Sequence, residues 1–180
     1  MLGDLDINWI GLDDLGETLD VEETGTTFRE NALLKARAYA RATKRMTLAD
    51  DSGLEVDALG GAPGVYTARY GGAGLTAVQR YEHLLRNMAH LPVEQRAARF
   101  RCVIVCCAPD GTILAEGAGV CEGLINHEPV GDNGFGYDPV FYLPDREMTM
   151  AQIPAVEKHR ISHRGRALQA ILPALRRLSA

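Results

Sequence analysis

Apolar residues recur with helical spacing in three stretches of the chain and run almost unbroken in a fourth. After Thr27 the positions Ala32, Leu33, Ala36, Tyr39 and Ala40 share one helical face, and Glu30 follows Thr27 by three residues. That spacing is a capping box, so it predicts a helix of about four turns. A second helix is predicted from Thr76 through Tyr81, Leu84 and Leu85, ending near residues 87–90 ahead of Pro92. A third runs from near Ser162 through Ala167, Leu168, Ile171, Leu172, Leu175 and Leu178. Pro173 is expected to kink it, because proline lacks an N–H and crowds the preceding turn.

Strands fill the spaces between. Thr47–Asp50 reads as a short strand that ends at an acidic pair, and Leu54–Val56 as another. After Arg101 the chain is nearly all apolar to Ala108, as expected of a central strand buried on both faces. Pro109, Asp110 and Gly111 form a turn signal, and 112–124 is the hairpin partner. Gly117 and Gly119 within it mark a bulge or close packing. Residues 57–65 and 126–138 are Gly-rich loops, 66–70 a helical turn, 140–142 a short strand, and Thr149 the cap of a short helix interrupted by Pro154. This order predicts one α/β domain over residues 1–180, a mixed central sheet flanked by helices.

The 180 residues suffice for one domain with a proper core. A hydrophobic content of 46% with 24% charged residues is that of a globular protein. No apolar run approaches the ~20 residues that span a bilayer. The N-terminus lacks the basic-then-apolar pattern of a secretory signal, so a cytoplasmic location is expected. A net charge of −5 argues against general nucleic-acid affinity. The charge is uneven, with eight acids before the first base, Arg29, and six Lys/Arg against the single acid Glu157 from residue 155 onward. An anionic substrate would find its cations near the C-terminal end; a solvated basic helix face gives the same pattern. Cys102, Cys106, Cys107 and Cys121 lack metal-ligand spacing and read as buried free thiols.

The densest chemistry lies in residues 48–70, LADDSGLEVDALGGAPGVYTARY. Carboxylates beside small residues suit a hard divalent cation such as Mg²⁺, which takes oxygen ligands and keeps some of its waters. Asp, Ser and Gly are equally the residues of an ordinary turn. Asp50 and Asp51 point opposite ways on an extended chain, so they cannot do identical jobs. Downstream, GFGYDP at 134–139 sets an aromatic ring between glycines, free to stack on a flat ring or to anchor a loop. EKHRISHRG at 157–165 concentrates cations.

These three motifs, in this order, resemble those of the non-standard purine nucleoside triphosphate pyrophosphatases, the inosine triphosphate pyrophosphatase family. The likeness is collinear from about Leu12 to the C-terminus. It implies an elongated fold of two lobes on one long sheet, with the active cleft between them, and a homodimer. It implies hydrolysis of ITP, dITP and XTP to the monophosphate and pyrophosphate, with Mg²⁺. In such an enzyme Glu30, from the T-F-x-E-N-A motif, and Asp51 would hold the metal, although Glu30 is also the residue that closes the capping box. Asp51 would also accept the proton of the attacking water, and Asp50 would be a neighbouring ligand or an orienting group. Ser52 matches a substrate-binding position. Phe135, Gly136, Tyr137 and Asp138 match the base-binding motif. Lys158, His163 and Arg164 match substrate contacts whose donors would welcome a 6-keto oxygen and reject adenine's amino group. Arg69 is a further candidate for substrate contact or for bracing the Gly-rich loop. Guanine shares the 6-keto group, so these contacts leave GTP unexplained.

The family usually opens with an apolar strand and an S/T-x-N-x-x-K phosphate loop. Here no lysine precedes Lys35, and residues 1–4 resemble the end of the helix that follows that loop. Either an upstream segment belongs to the natural chain, or this is a shortened form. The shortened form would be a catalytically impaired nucleotide-binding protein. His159 and Gln152 are smaller departures from the pattern.

Overall fold

A computed structural model of the chain describes residue 5, residues 7–16 and residues 19–179. Residues 1–4, read above as a helix end, lie outside the described residues. Four helices, α1 (Phe28–Thr43), α2 (Ala77–Asn87), α3 (Ala155–Ile161) and α4 (His163–Leu178), accompany five strands. The strands are β1 (Thr47–Val56), β2 (Ala97–Cys107), β3 (Ile113–Ile125), β4 (Phe141–Leu143) and β5 (Met148–Thr149). They form one sheet in the order β1-β2-β3-β4-β5. The α/β class and the flanking helices agree with the sequence. Thr112 O accepts from Ala108 N at 2.9 Å to close the β2–β3 hairpin, and β4 pairs antiparallel with both β3 and β5. The short β2–β3 and β4–β5 connections leave no room for a parallel crossover.

Two expectations about strands are corrected. Residues 47–56 form one uninterrupted strand, so the acidic pair lies within β1 and not at its end. The small Ser52 and Gly53 read as a break, but both keep extended backbone. In β2, burial alternates over residues 97–101 and becomes continuous only over residues 104–107. Arg99 and Arg101 occupy the open face of the first half. There Arg99 donates to both carboxylate oxygens of Asp57 at 2.8 and 2.9 Å and to Glu122 at 3.0 Å, while Arg101 donates to Glu55 at 2.8 Å.

The chain divides into two compact units. The first comprises residues 1–51, 102–119 and 167–180. In it Ala32, Ala36 and Ala40 of α1 are fully buried beside Val105 and Cys107. Small residues at i, i+4 and i+8 let a helix lie close on a sheet. Ala167, Ile171 and Leu175 of α4 bury the same way against Cys102, Ile104, Cys106 and Ala115. Gly117 is a site of close packing: a Cβ there would stand 2.6 Å from Ala167 O and 2.8 Å from Ile171 Cβ. Pro173 lies on the exposed face of α4, which continues past it to Leu178.

The second unit comprises residues 52–101 and 120–166. Its core joins Leu54, Val56, Leu84, Met88, Phe100, Ile125, Phe141, Met150 and Ile153. Arg96 is 1% exposed within it. Its guanidinium donates to the carbonyls of Ile125 (2.7 Å), Met88 (2.6 Å) and Asn126 (3.1 Å). A buried cation without a carboxylate is tolerable here because carbonyl dipoles replace its water. All four cysteines are buried free thiols. No helix among the described residues is long and apolar enough to cross a membrane.

Candidate active site

The sequence-predicted residues fall into two groups, one in each unit. In the first unit α1 opens as expected. Thr27 Oγ1 accepts from Glu30 N at 3.2 Å, and Glu30 Oε2 accepts from Thr26 N, Thr26 Oγ1 and Thr27 N at 2.7, 2.9 and 3.1 Å. Those N–H bonds, the one from Thr26 foremost, hold the Glu30 carboxyl below its ordinary value. Three donors converge on Oε2, and Oε1 has none among the described residues. Capping therefore uses one oxygen and is compatible with metal ligation by the other.

One residue further, Asn31 is 1% exposed. Its Oδ1 accepts from Gly25 N at 2.8 Å, and its Nδ2 donates to Asp51 Oδ2 at 3.3 Å. One turn on, Lys35 Nζ lies 3.2 Å from Asp51 Oδ1 and 2.6 Å from Glu23 Oε1. Both Asp51 oxygens are thus held by side chains of α1. Burial raises the Asp51 pKa above the ordinary carboxylate value, and the Lys35 charge only partly opposes it. At Lys35, burial works against the charge, but the bonds and charges of Glu23 and Asp51 outweigh it and hold the ammonium pKa high. Asp50 points elsewhere, as alternation requires: its Oδ2 accepts from the Cys102 thiol at 3.7 Å.

Among the described residues no three His, Cys, Asp or Glu side chains converge to make a metal cage. Mg²⁺ does not need one, because it is commonly held by one or two carboxylates with waters and substrate phosphates. The cluster meets that demand: Lys35 places a positive charge between two carboxylates, so Asp51 and Glu23 already suit a cation. Glu30 keeps one carboxylate oxygen without a donor among the described residues, and Asp51 is a carboxylate already beside a cation; both are the donor type that Mg²⁺ takes.

In the second unit Ser52, Phe135, Gly136, Tyr137, Asp138, His163 and Arg164 line a cavity of about 220 Å³ together with Gly53, Thr67, Ala68, Arg80 and Phe100. That volume suits one flat ring system, not a whole nucleotide. The 134–139 loop is set by its glycines. Gly134 has φ 83°, and a Cβ there would stand 2.1 Å from Asp138 Oδ2. This leaves Asp138 Oδ2 free to accept from Phe135 N at 2.6 Å and to pair with Lys158 Nζ. Asp138 is 3% exposed, so the pair is nearly dry. Phe135 is 62% exposed. Lys158 Nζ stands 4.5 Å from its ring centroid and Arg164 Cζ 5.5 Å. Tyr137 is buried, its hydroxyl donates to Thr67 O at 3.0 Å, and burial pushes its pKa well above the ordinary phenol value. The His163 ring stacks on Phe100 with centroids 4.8 Å apart.

Lys158 reaches this group through Asp138 and Phe135 and is not part of the cavity wall. Arg69 lies over the Tyr66 ring at 5.0 Å and does not line the cavity either. Sequence reasoning missed Lys35, Thr67, Arg80 and Phe100 as site residues, and used Asn31 only as a motif match. One signal was available: Asn31 and Lys35 are four apart on the helix that Glu30 opens, hence on one face.

By fold the chain is a two-unit α/β protein of the Ham1 type. It superposes on the Ham1 protein of Staphylococcus aureus with a TM-score of 0.83 at 44% identity, covering 92% of this chain and 83% of that one. A HAM1 protein from Coxiella burnetii gives 0.85 at 43% identity, covering 99% and 87%. The Ham1 family model matches residues 1–174, and the chain belongs to that family. Similar relatives include the dITP/XTP pyrophosphatase of Escherichia coli K12, 48% identical over 182 residues that cover 98% of this chain and 89% of the relative. The dITP/XTP pyrophosphatase of Synechocystis is 50% identical over 154 residues, 86% of this chain and 77% of the relative.

Proposed function

We propose that this protein hydrolyses ITP, dITP and XTP to the monophosphate and pyrophosphate, removing deaminated purines from the cytoplasmic nucleotide pool. Membership of the Ham1 family and relatives named dITP/XTP pyrophosphatase support the reaction class. The observation that carries the reading is the cavity walled by Phe135, Tyr137, Asp138 and His163, which matches a purine ring in size and offers it both stacking and polar partners.

In this reading Phe135 stacks on the base, Asp138, braced by Lys158, accepts from a ring N–H, and His163 and Arg164 supply donors to the 6-keto oxygen. A 6-amino group facing those donors would leave buried groups unpaired, which excludes ATP. Ser52 meets the substrate beside Asp51. Asp51 takes a proton from the attacking water as the bond between the α and β phosphates breaks, and pyrophosphate leaves. Its raised pKa suits that task, since a base works best when its pKa approaches the working pH. Asn31 and Lys35 hold its two oxygens in one orientation. Mg²⁺, held by Asp51 and Glu30, would neutralise phosphate charge when bound. The assembly in this reading is a homodimer, which light scattering would reveal.

Assay of pyrophosphate release from ITP with Mg²⁺ tests the proposal. Binding of IMP and ITP without turnover would instead indicate a nucleotide-binding protein.

A further inference from the structure

The contacts assigned to the base leave one discrimination open: guanine carries the same 6-keto oxygen as hypoxanthine and xanthine. The three rings differ at carbon 2, where xanthine has a carbonyl oxygen, hypoxanthine a hydrogen and guanine an amino group. We propose that Arg80 reads this edge and sets base preference, its guanidinium donating to the 2-keto oxygen of xanthine and opposing the 2-amino group of guanine. The inference rests on the proposed pyrophosphatase reading and deepens it.

Arg80 is the fourth residue of α2, whose N-cap is Thr76. It lines the cavity from an element that carries none of the residues assigned to the 6-position. Its Nη2 donates to Leu75 O at 2.8 Å, which ties the guanidinium to the start of the helix. Its Nε is buried and has no hydrogen-bond partner among the described residues. Buried N–H groups of this kind are almost always paired, so an orphan one beside a cavity asks for an acceptor. Two neighbouring polar groups are committed: the Tyr137 hydroxyl to Thr67 O, and Asp138 Oδ2 to Phe135 N and Lys158. The Arg80 charge is felt in the cavity, where it draws the Tyr137 pKa down against the larger effect of burial.

Guanidinium only donates and does not lose its proton. A ring edge with an acceptor gains a charge-assisted bond from it. An edge with C–H gains nothing, and an edge with an amino group sets donor against donor. The predicted order at this edge is therefore xanthine, then hypoxanthine, then guanine. The sequence does not flag Arg80, because a lone arginine in the first turn of an amphipathic helix reads as a solvated residue.

The test compares kcat/KM for XTP, ITP and GTP in the wild-type protein and in R80M, with circular dichroism as a fold check. R80M should lower kcat/KM for XTP about tenfold or more, mainly through KM. It should change ITP less than about threefold, the worth of a lost neutral contact, and should raise GTP. An equal fall for all three nucleotides would assign Arg80 a structural role and overturn the proposal, as would no change in the XTP/ITP ratio. If R80M does not fold, R80K keeps the charge and stem but not the planar fork, and its XTP/ITP ratio should still drop. Titration of XMP, IMP and GMP into the wild type and variant reads the same preference without turnover. A wild-type protein that releases no pyrophosphate from XTP or ITP fails the functional reading; one that releases it with an R80M ratio unchanged fails only the Arg80 inference.

Discussion

Lys35 bridges Asp51 and Glu23, with its Nζ 3.2 Å from Asp51 Oδ1 and 2.6 Å from Glu23 Oε1. Burial makes the Asp51 carboxylate harder to ionise, and this ammonium restrains that effect. One side chain therefore orients the proposed base and tunes its protonation.

The pH profile follows from the sign of those effects. Burial raises the Asp51 pKa in the metal-free folded protein, and a bound dication would lower it, so the acid limb of kcat/KM should move up as Mg²⁺ is lowered. Removing the opposing cation in Lys35→Met should move that limb to still higher pH. A pH–rate profile of both proteins checks it; a limb that stays put would mean Asp51 is not the titrating base.

Asp51→Asn keeps the size of the side chain and removes the proton acceptor. Turnover should fall by about 10²–10⁴-fold, the usual worth of a positioned base. The fold should survive, because a folded pKa above the unfolded one means that ionised Asp51 costs stability as pH rises through that interval. Circular dichroism and single-turnover kinetics together check this. An unfolded variant would make Asp51 structural.

Gly134→Ala tests the base loop. At φ 83° a Cβ is strained by about 1–2 kcal/mol. It would also collide with Asp138 Oδ2. Asp138 should then lose its grip on Phe135 N, and KM for ITP should rise about tenfold, an effect that matches one charge-assisted bond. Steady-state kinetics with ITP measures it.

The loop and the helix opening were legible for the same reason: their chemistry is local. A Thr27–Glu30 capping box and a Gly-Phe-Gly run act through neighbours in sequence. The break expected within residues 47–56 was not legible, because Ser52 and Gly53 keep strand backbone only through the ladder and the packing of Leu54 and Val56. Burial of β2 on one face only in its first half depends on Glu55, Asp57 and Glu122 meeting Arg99 and Arg101, which are distant in sequence. Lys35 and Thr67 joined the site through tertiary contacts in the same way. Thr67 accepts from Leu54 N through its Oγ1 and from the Tyr137 hydroxyl through its carbonyl, linking three segments that no local pattern connects.

Arg96→Met removes the guanidinium that donates to the carbonyls of Ile125 and Met88. Met88 O still accepts from Leu91 N at 3.0 Å, so losing the guanidinium bonds should cost about 3 kcal/mol. For a chain of this size that lowers Tm by roughly 6–12 °C. Thermal unfolding followed by circular dichroism measures it, and activity at low temperature should persist.

The most direct test of the central claim is pyrophosphate release from ITP, XTP and ATP by the 180-residue chain with Mg²⁺. Turnover of ITP and XTP to the monophosphate and pyrophosphate, with ATP left nearly untouched, is the predicted result. Release of orthophosphate in place of pyrophosphate, or equal turnover of ATP, would contradict it.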